Sequence, residues 1–303
     1  MLKFWSVIFL LLTSSFDASA QSTERRQVPV KIDVDLVLVN AAVTDHDGRP
    51  VTGLDQKHFR IWEDKIQQDI RYFSTEEIPA SVAVIFDISG SMAPRLAVAR
   101  DAVTNFLNAG SPEDEYTLIQ FANRPDVVQD FTSDTVELRN RIALTSGRGA
   151  TALYDAVYLG IEQLRHAHNP RKALLLITDG EDNHSRYSFG DVKRLAMESD
   201  IQLFAIGISG FVIPTMTKGH KPGNEVLQEL VDLTGGEAFF TSDTKRLGDI
   251  CAKISESLKA EYVIGYASTN TANDGKWRKL QVKLEQVSRA NVHARSGYYA
   301  RIQ

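Results

Sequence analysis

Ser81-Val-Ala-Val-Ile-Phe-Asp-Ile-Ser-Gly-Ser91 decides the fold. Residues 81–86 form a near-continuous apolar run that stops on Asp87, the pattern of a strand buried on both faces. A tight polar turn follows, and Ala93 to Asn108 then reads as a helix. The same rhythm continues downstream. Tyr116–Ala122, Val127–Phe131, Lys172–Thr178, Ile201–Ile208 and Glu237–Phe240 read as strands. Leu153–His166, Phe189–Glu198, Asn224–Leu233 and Thr244–Ala260 read as helices. Strands alternating with helices predict an α/β fold, a doubly wound and mostly parallel sheet with helices on both faces.

Both flanks of this region read as β. Val28 to Val39 alternates, with Val28, Val30, Ile32, Val34, Leu36 and Leu38 on one side. Asp45-His46-Asp47-Gly48 is a hairpin signal. Phe59–Trp62 and Asp69–Phe73 add short strands, and the tail offers Tyr262–Tyr266, Trp277–Leu284 and Val292–Tyr299. The leading β segment is too small to bury a core alone. The two flanks are therefore expected to pair into one small sandwich-like domain, with the α/β domain inserted between them; two separate appendages are the alternative. The expected organisation is a signal peptide at 1–20, β segments at 21–78 and 261–303, and the α/β domain at 79–260. Trp62 and Trp277 are expected as packing anchors of the β domain.

The chain has 303 residues, 43% hydrophobic and 24% charged, with a net charge of −5. That balance fits a globular protein and excludes a disordered chain or a basic nucleic-acid binder. Lys3, the apolar stretch Phe4–Leu12 and Ala18-Ser19-Ala20 together read as a secretory signal cut after Ala20, placing the mature protein in the periplasm or outside the cell. The alternative is a retained N-terminal anchor. Cys251 is the sole cysteine, so no internal disulfide forms. It shares a helical face with Leu247, Ile250, Ile254 and Leu258, the setting of a buried structural thiol.

Chemistry concentrates at strand ends. Asp87 closes the first buried strand, with Ser89 and Ser91 in the turn behind it. Asp179 closes the strand 172–178 on the same sheet edge, where open α/β sheets bind ligands. Thr151 lies just before the helix that begins near Leu153. Two carboxylates and three hydroxyls are hard oxygen donors without His or Cys, a set suited to Mg²⁺, Mn²⁺ or Ca²⁺ and not to zinc. Two carboxylates balance a divalent ion and leave a position for an outside ligand, which a partner's Asp or Glu carboxylate fills.

These residues resemble a known family. Asp87-Ile-Ser-Gly-Ser91, Thr151 and Thr178-Asp179-Gly180 are similar to the three parts of the metal-ion-dependent adhesion site (MIDAS) of von Willebrand factor type A (VWA) domains, in the same order. Element order from about residue 80 to 260 resembles the same Rossmann-like fold. Val43–Val51, Phe59–Asp64 and Arg295–Tyr299 resemble a bacterial subgroup, the VWFA-related proteins best known from acidobacteria. The resemblance implies metal-dependent protein binding of adhesion type, without catalysis. Ala150 departs from the Gly common at that position, and Arg148 is an unusual cation beside a cation site. The rival readings are a structural or assembly subunit of the envelope that uses the fold without metal, and an enzyme built on Ser89 or Ser91 with His184 and Asp179. The latter lacks the Gly-x-Ser-x-Gly elbow. Glu181, Asp182 and His184 read as a solvated loop or as support for the site. Phe211–Pro222 reads as an exposed connection or a determinant of partner choice. His166 and His168 end a helix, where cationic side chains are favoured.

Overall fold

The computed structural model describes residues 36–179, 181–208 and 222–302. In chain order the elements are β1 (Leu36–Asp45), β2 (Phe59–Glu63), β3 (Ile66–Gln68), β4 (Ile70–Ser74), β5 (Ala80–Asp87), α1 (Leu96–Ala109), β6 (Glu115–Phe121), β7 (Pro125–Thr132), α2 (Thr135–Ala143), α3 (Leu153–Leu164), β8 (Arg171–Thr178), α4 (Phe189–Glu198), β9 (Gln202–Gly207), α5 (Gly223–Thr234), β10 (Ala238–Phe240), α6 (Leu247–Lys259), β11 (Glu261–Ala267), β12 (Trp277–Leu284), β13 (Ala290–Ala294) and β14 (Gly297–Tyr299).

Six strands form the central sheet in the order β10-β9-β8-β5-β6-β7, parallel except for β7. The apolar runs of β5 and β8 sit at its middle because both their faces are covered. On one face Val82, Val84, Phe86, Leu175 and Ile177 pack against α1, α2 and α6. On the other, Ala83, Ile85, Leu174 and Leu176 pack against α3, α4 and α5. This is the doubly wound α/β arrangement that the alternation of elements predicts. Cys251 is fully buried under the first face, and burial pushes its thiol up to about 12.

The remaining strands build two antiparallel sheets, β13-β1-β11-β4 and β14-β12-β2-β3, around one shared core. Each sheet takes two strands from before the central sheet and two from after it. Phe59, Phe73 and Tyr262 form an aromatic trio in that core, with centroids 4.9–5.9 Å apart. Gly265 on β11 leaves room for Tyr72 and Leu38 to meet above it; a Cβ there would lie 2.8 Å from the Tyr72 Cβ.

The structure corrects several sequence expectations. In β1, Val39, Ala41 and Val43 point into the core, while Leu36 and Leu38 are 39% and 45% exposed. Residues 36–39 are all apolar, so hydrophobicity did not define the parity. Residues 28–35, the expected signal and the Phe211–Pro222 connection up to Lys221 lie outside the described residues. The expected strand 292–299 is two strands, one in each sheet, because the chain crosses between them at Ser296, whose amide donates to Leu233 O. Helix α2 was not anticipated. Asp134 caps it, its side chain accepting from Val136 N and Glu137 N. Trp62 and Trp277 are half-buried and outward, one under Lys283 and the other against Tyr299. Alternation on β2 and β12 turns both tryptophans away from the core, which is filled instead by Phe59, Ile61, Leu280 and Val282.

Candidate metal centre

Asp87 is the last residue of β5 and is fully buried. Its Oδ1 accepts from Ser89 N at 2.8 Å, which folds the chain into a tight turn at the strand end. Its Oδ2 accepts from the Thr178 hydroxyl at 2.6 Å, tying the ends of neighbouring strands β5 and β8 together. Ser89 is also fully buried, and its hydroxyl lies 3.0 Å from that of exposed Ser91.

The loop that carries Thr151 is stitched to this turn. Arg148 N donates to Ile88 O at 2.8 Å, and Gly90 N donates to Gly149 O at 3.0 Å. Gly149 adopts φ +90°, and a Cβ there would lie 2.8 Å from Asn123 Oδ1. That oxygen accepts from Ala150 N at 2.7 Å. Thr151, 3% exposed, is clamped from the next loop: its N donates to Asn183 Oδ1 at 2.9 Å, and its O accepts from Asn183 N and His184 N. Asp179, half-buried, follows β8 directly.

The five anticipated residues therefore stand on three loops at the carboxyl ends of β5 and β8, joined by the bonds just given. Asn123 and Asn183 were not singled out from the sequence, and Thr178 entered only as part of the Thr178-Asp179-Gly180 motif. The two asparagines act on backbone groups, and the signal for them is only the general habit of Asn to bind main chain in turns.

The electrostatics are uneven. Burial pushes the Asp87 carboxyl up to about 6, against the bonds from Thr178 and Ser89, and the neighbouring Asp179 charge raises it further. No cation appears among the causes of that shift. Asp179 Oδ1 is buried without a hydrogen-bond partner. Two close carboxylates, one orphaned oxygen and three hydroxyl-bearing side chains amount to a deficit of positive charge and a surplus of oxygen donors. A hard divalent cation fits that deficit.

The triad reading finds no geometric support. Among the described residues no hydrogen bond joins the exposed His184 side chain to either serine, while the serine hydroxyls face each other. Asp182 and Ser185 instead brace the start of α3, accepting from Tyr154 N and Asp155 N. His168 pairs with Glu115 at 2.9 Å. A second cluster, half-buried Asp45 with exposed His46 and Asp47, lies on the β1 hairpin. Asp45 Oδ1 already accepts from Asp47 N and Arg49 N at 2.8 Å each, so the cluster is accounted for as a turn.

Residues 82–181 match the family model of the von Willebrand factor type A domain, spanning the Asp87 turn, Thr151 and Asp179. The chain carries a von Willebrand factor type A domain. Among similar proteins, the inter-alpha-trypsin inhibitor heavy chain H4 of Bos taurus is 25% identical over 157 residues, covering 46% of this chain and 17% of that protein. A UPF0353 protein of Mycolicibacterium gilvum is 22% identical over 213 residues, 62% of this chain and 63% of the relative. The chain thus spans less than two thirds of either. Among solved structures, a von Willebrand factor type A protein from Catenulispora acidiphila superposes with TM-score 0.52 at 13% identity, over 89% of this chain and 74% of that one. The PilB minor pilin from Streptococcus sanguinis gives 0.50 at 15% identity, over 62% and 63%. At such identities the structural likeness is one of fold. VWA domains are protein-interaction modules that often bind a divalent metal. No helix among the described residues is long and apolar enough to cross a membrane.

Proposed function

We propose that this is an exported, adhesion-type binding protein whose VWA domain holds a divalent cation, Mg²⁺ or else Mn²⁺ or Ca²⁺, at a MIDAS formed by Asp87, Ser89, Ser91, Thr151 and Asp179. The cation supplies the positive centre that an acidic side chain of a protein partner binds. Asp87 and Asp179 balance its charge, and the clamped Thr151 loop presents a hydroxyl without conformational search. We read the site as one for binding: among the described residues the serine hydroxyls are hydrogen-bonded to each other and not to a histidine base. The observation that carries the reading is the buried, unpartnered Asp179 Oδ1 beside the buried Asp87 carboxylate, neither of which is in an ion pair among the described residues.

Thermal melting with Mg²⁺ and with EDTA tests it. Mg²⁺ at 100 times its dissociation constant should stabilise the wild type by about 2.7 kcal/mol, and Asp87→Ala should show no such gain. An identical wild-type melting temperature in both buffers would sink the metal site. Partner capture from an envelope fraction that survives EDTA would favour the alternative, a metal-independent assembly subunit.

A further inference from the structure

We propose that Arg95, Arg124 and Arg148 form a cationic rim on one flank of the metal site and receive a second carboxylate of the same protein partner, so that the site selects clustered acidic side chains over isolated ones. The inference rests on the metal-site reading above.

The three arginines come from three hydrogen-bonded segments around the turn. Arg95 follows it by one turn of chain, and its guanidinium donates to Ser91 O at 3.1 Å. Arg148 is held by its backbone, through Arg148 N to Ile88 O at 2.8 Å, and its side chain is exposed. Arg124 is exposed in the β6–β7 turn, next to Asn123, whose side chain binds the Thr151 loop at Ala150 N. Two of the loops that carry these charges therefore touch. Among the described residues none of the three arginines has a carboxylate partner, whereas Arg186, on the opposite loop, is paired with Asp155 at 3.4 Å.

Most acidic groups of this edge lie elsewhere. Glu181 and Asp182 follow Asp179, and Asp182 is engaged with Tyr154 N and Ser185. Asp126, exposed two residues after Arg124, is the acid on the side of the rim, and among the described residues no ion pair joins the two. With a divalent ion offsetting Asp87 and Asp179, the 95/124/148 flank is left positive and the 181–182 flank negative. Such asymmetry orients an incoming acidic segment and steers its approach. A guanidinium takes a carboxylate through two parallel bonds, which rewards a second acid at a fixed offset from the metal-bound one. Arg148 thus acts as a second ligand for the partner beside the metal.

The test uses the full chain with Mg²⁺ and two fluorescent ten-residue Gly/Ser peptides, one with a single central Asp and one with three consecutive Asp. The triple-Asp peptide should bind roughly five-fold tighter, as expected of two exposed ion pairs, with an advantage that shrinks as NaCl is raised. The Arg124→Ala/Arg148→Ala double variant should bring the two peptides within about two-fold while keeping the Mg²⁺-induced rise in melting temperature. Equal affinity of both peptides for the wild type, no binding of either, or an advantage that persists in the double variant overturns the rim; with the Mg²⁺ shift intact, the metal site still stands. Loss of the Mg²⁺ shift in the wild type overturns both.

Discussion

Glu63 and Asp87 are both carboxylates buried at strand ends without an ion pair among the described residues, and they have opposite surroundings. Glu63, 2% exposed in the sandwich, accepts from the hydroxyls of Tyr266 at 2.7 Å, Ser268 at 2.6 Å and Tyr298 at 2.9 Å. Three donors on three different tail residues saturate it, and the group serves as a structural knot between the leading and trailing β segments. Asp87 stands on the same sheet edge as a second carboxylate, Asp179 at the end of the neighbouring strand, whose Oδ1 has no partner. A saturated buried acid is architecture. An unsaturated pair at a loop edge is a place prepared for something positive.

The largest effect expected from this contrast is at the knot. Glu63→Leu removes the acceptor of three hydroxyls; Ser268 keeps Asn270 O, but Tyr266 and Tyr298 are left without one, and Tyr266 is fully buried. The loss should be about 3 kcal/mol or more, a fall in melting temperature of roughly 5–10 °C, with Glu63→Gln falling less because it keeps an acceptor. The Mg²⁺ response should be unchanged. A Glu63→Leu melting temperature within a degree of the wild type would break the comparison.

Asp179→Asn should behave the other way. Removing one of two adjacent negative charges relieves repulsion on Asp87, so in EDTA the variant should be as stable as the wild type or more stable, by about 1 kcal/mol. It should also lose the Mg²⁺-dependent gain. If Asp179→Asn destabilises the EDTA form as strongly as Glu63→Leu does, the pair is structural and no cation is called for.

The reach of the sequence follows the same division. Strands buried on both faces, such as 81–86 and 173–177, show as apolar runs, so the central sheet was legible. Strand-end positions then placed Asp87 and Asp179 on one edge. What hid were features set by backbone or by one-sided burial. α2 buries only Leu138 and Ile142, one contact per turn, too thin a stripe to stand out. The step at Ser296 from one sheet to the other is made by main-chain bonds from Ser296 N to Leu233 O and from Leu280 N to Ser296 O. The knot was invisible because Glu63, Tyr266 and Tyr298 are distant in sequence and meet only across two sheets. Asn183 was missed for a related reason, since its side chain serves an amide that any residue would supply.

Glu237 offers the finest test, since it lies between the two extremes. It is half-buried, just before β10, with Lys253 as its charged neighbour, and that lysine also donates to Asp47 O at 2.6 Å. Burial pushes its carboxyl above the usual range, and Lys253 only partly offsets this. A carboxyl whose folded value is raised binds its proton more tightly in the folded state than in the unfolded one. Its favourable contribution is therefore complete below the unfolded value and is lost as pH rises through the folded one. Glu237→Gln removes that loss. Urea unfolding should find the variant equal to the wild type near pH 4 and slightly more stable at pH 8, with the gap opening across the carboxylate range. A gap of opposite sign at pH 8 would mean that Lys253 outweighs burial, placing Glu237 with Glu63 among the satisfied acids and leaving the Asp87–Asp179 pair as the exception in the comparison.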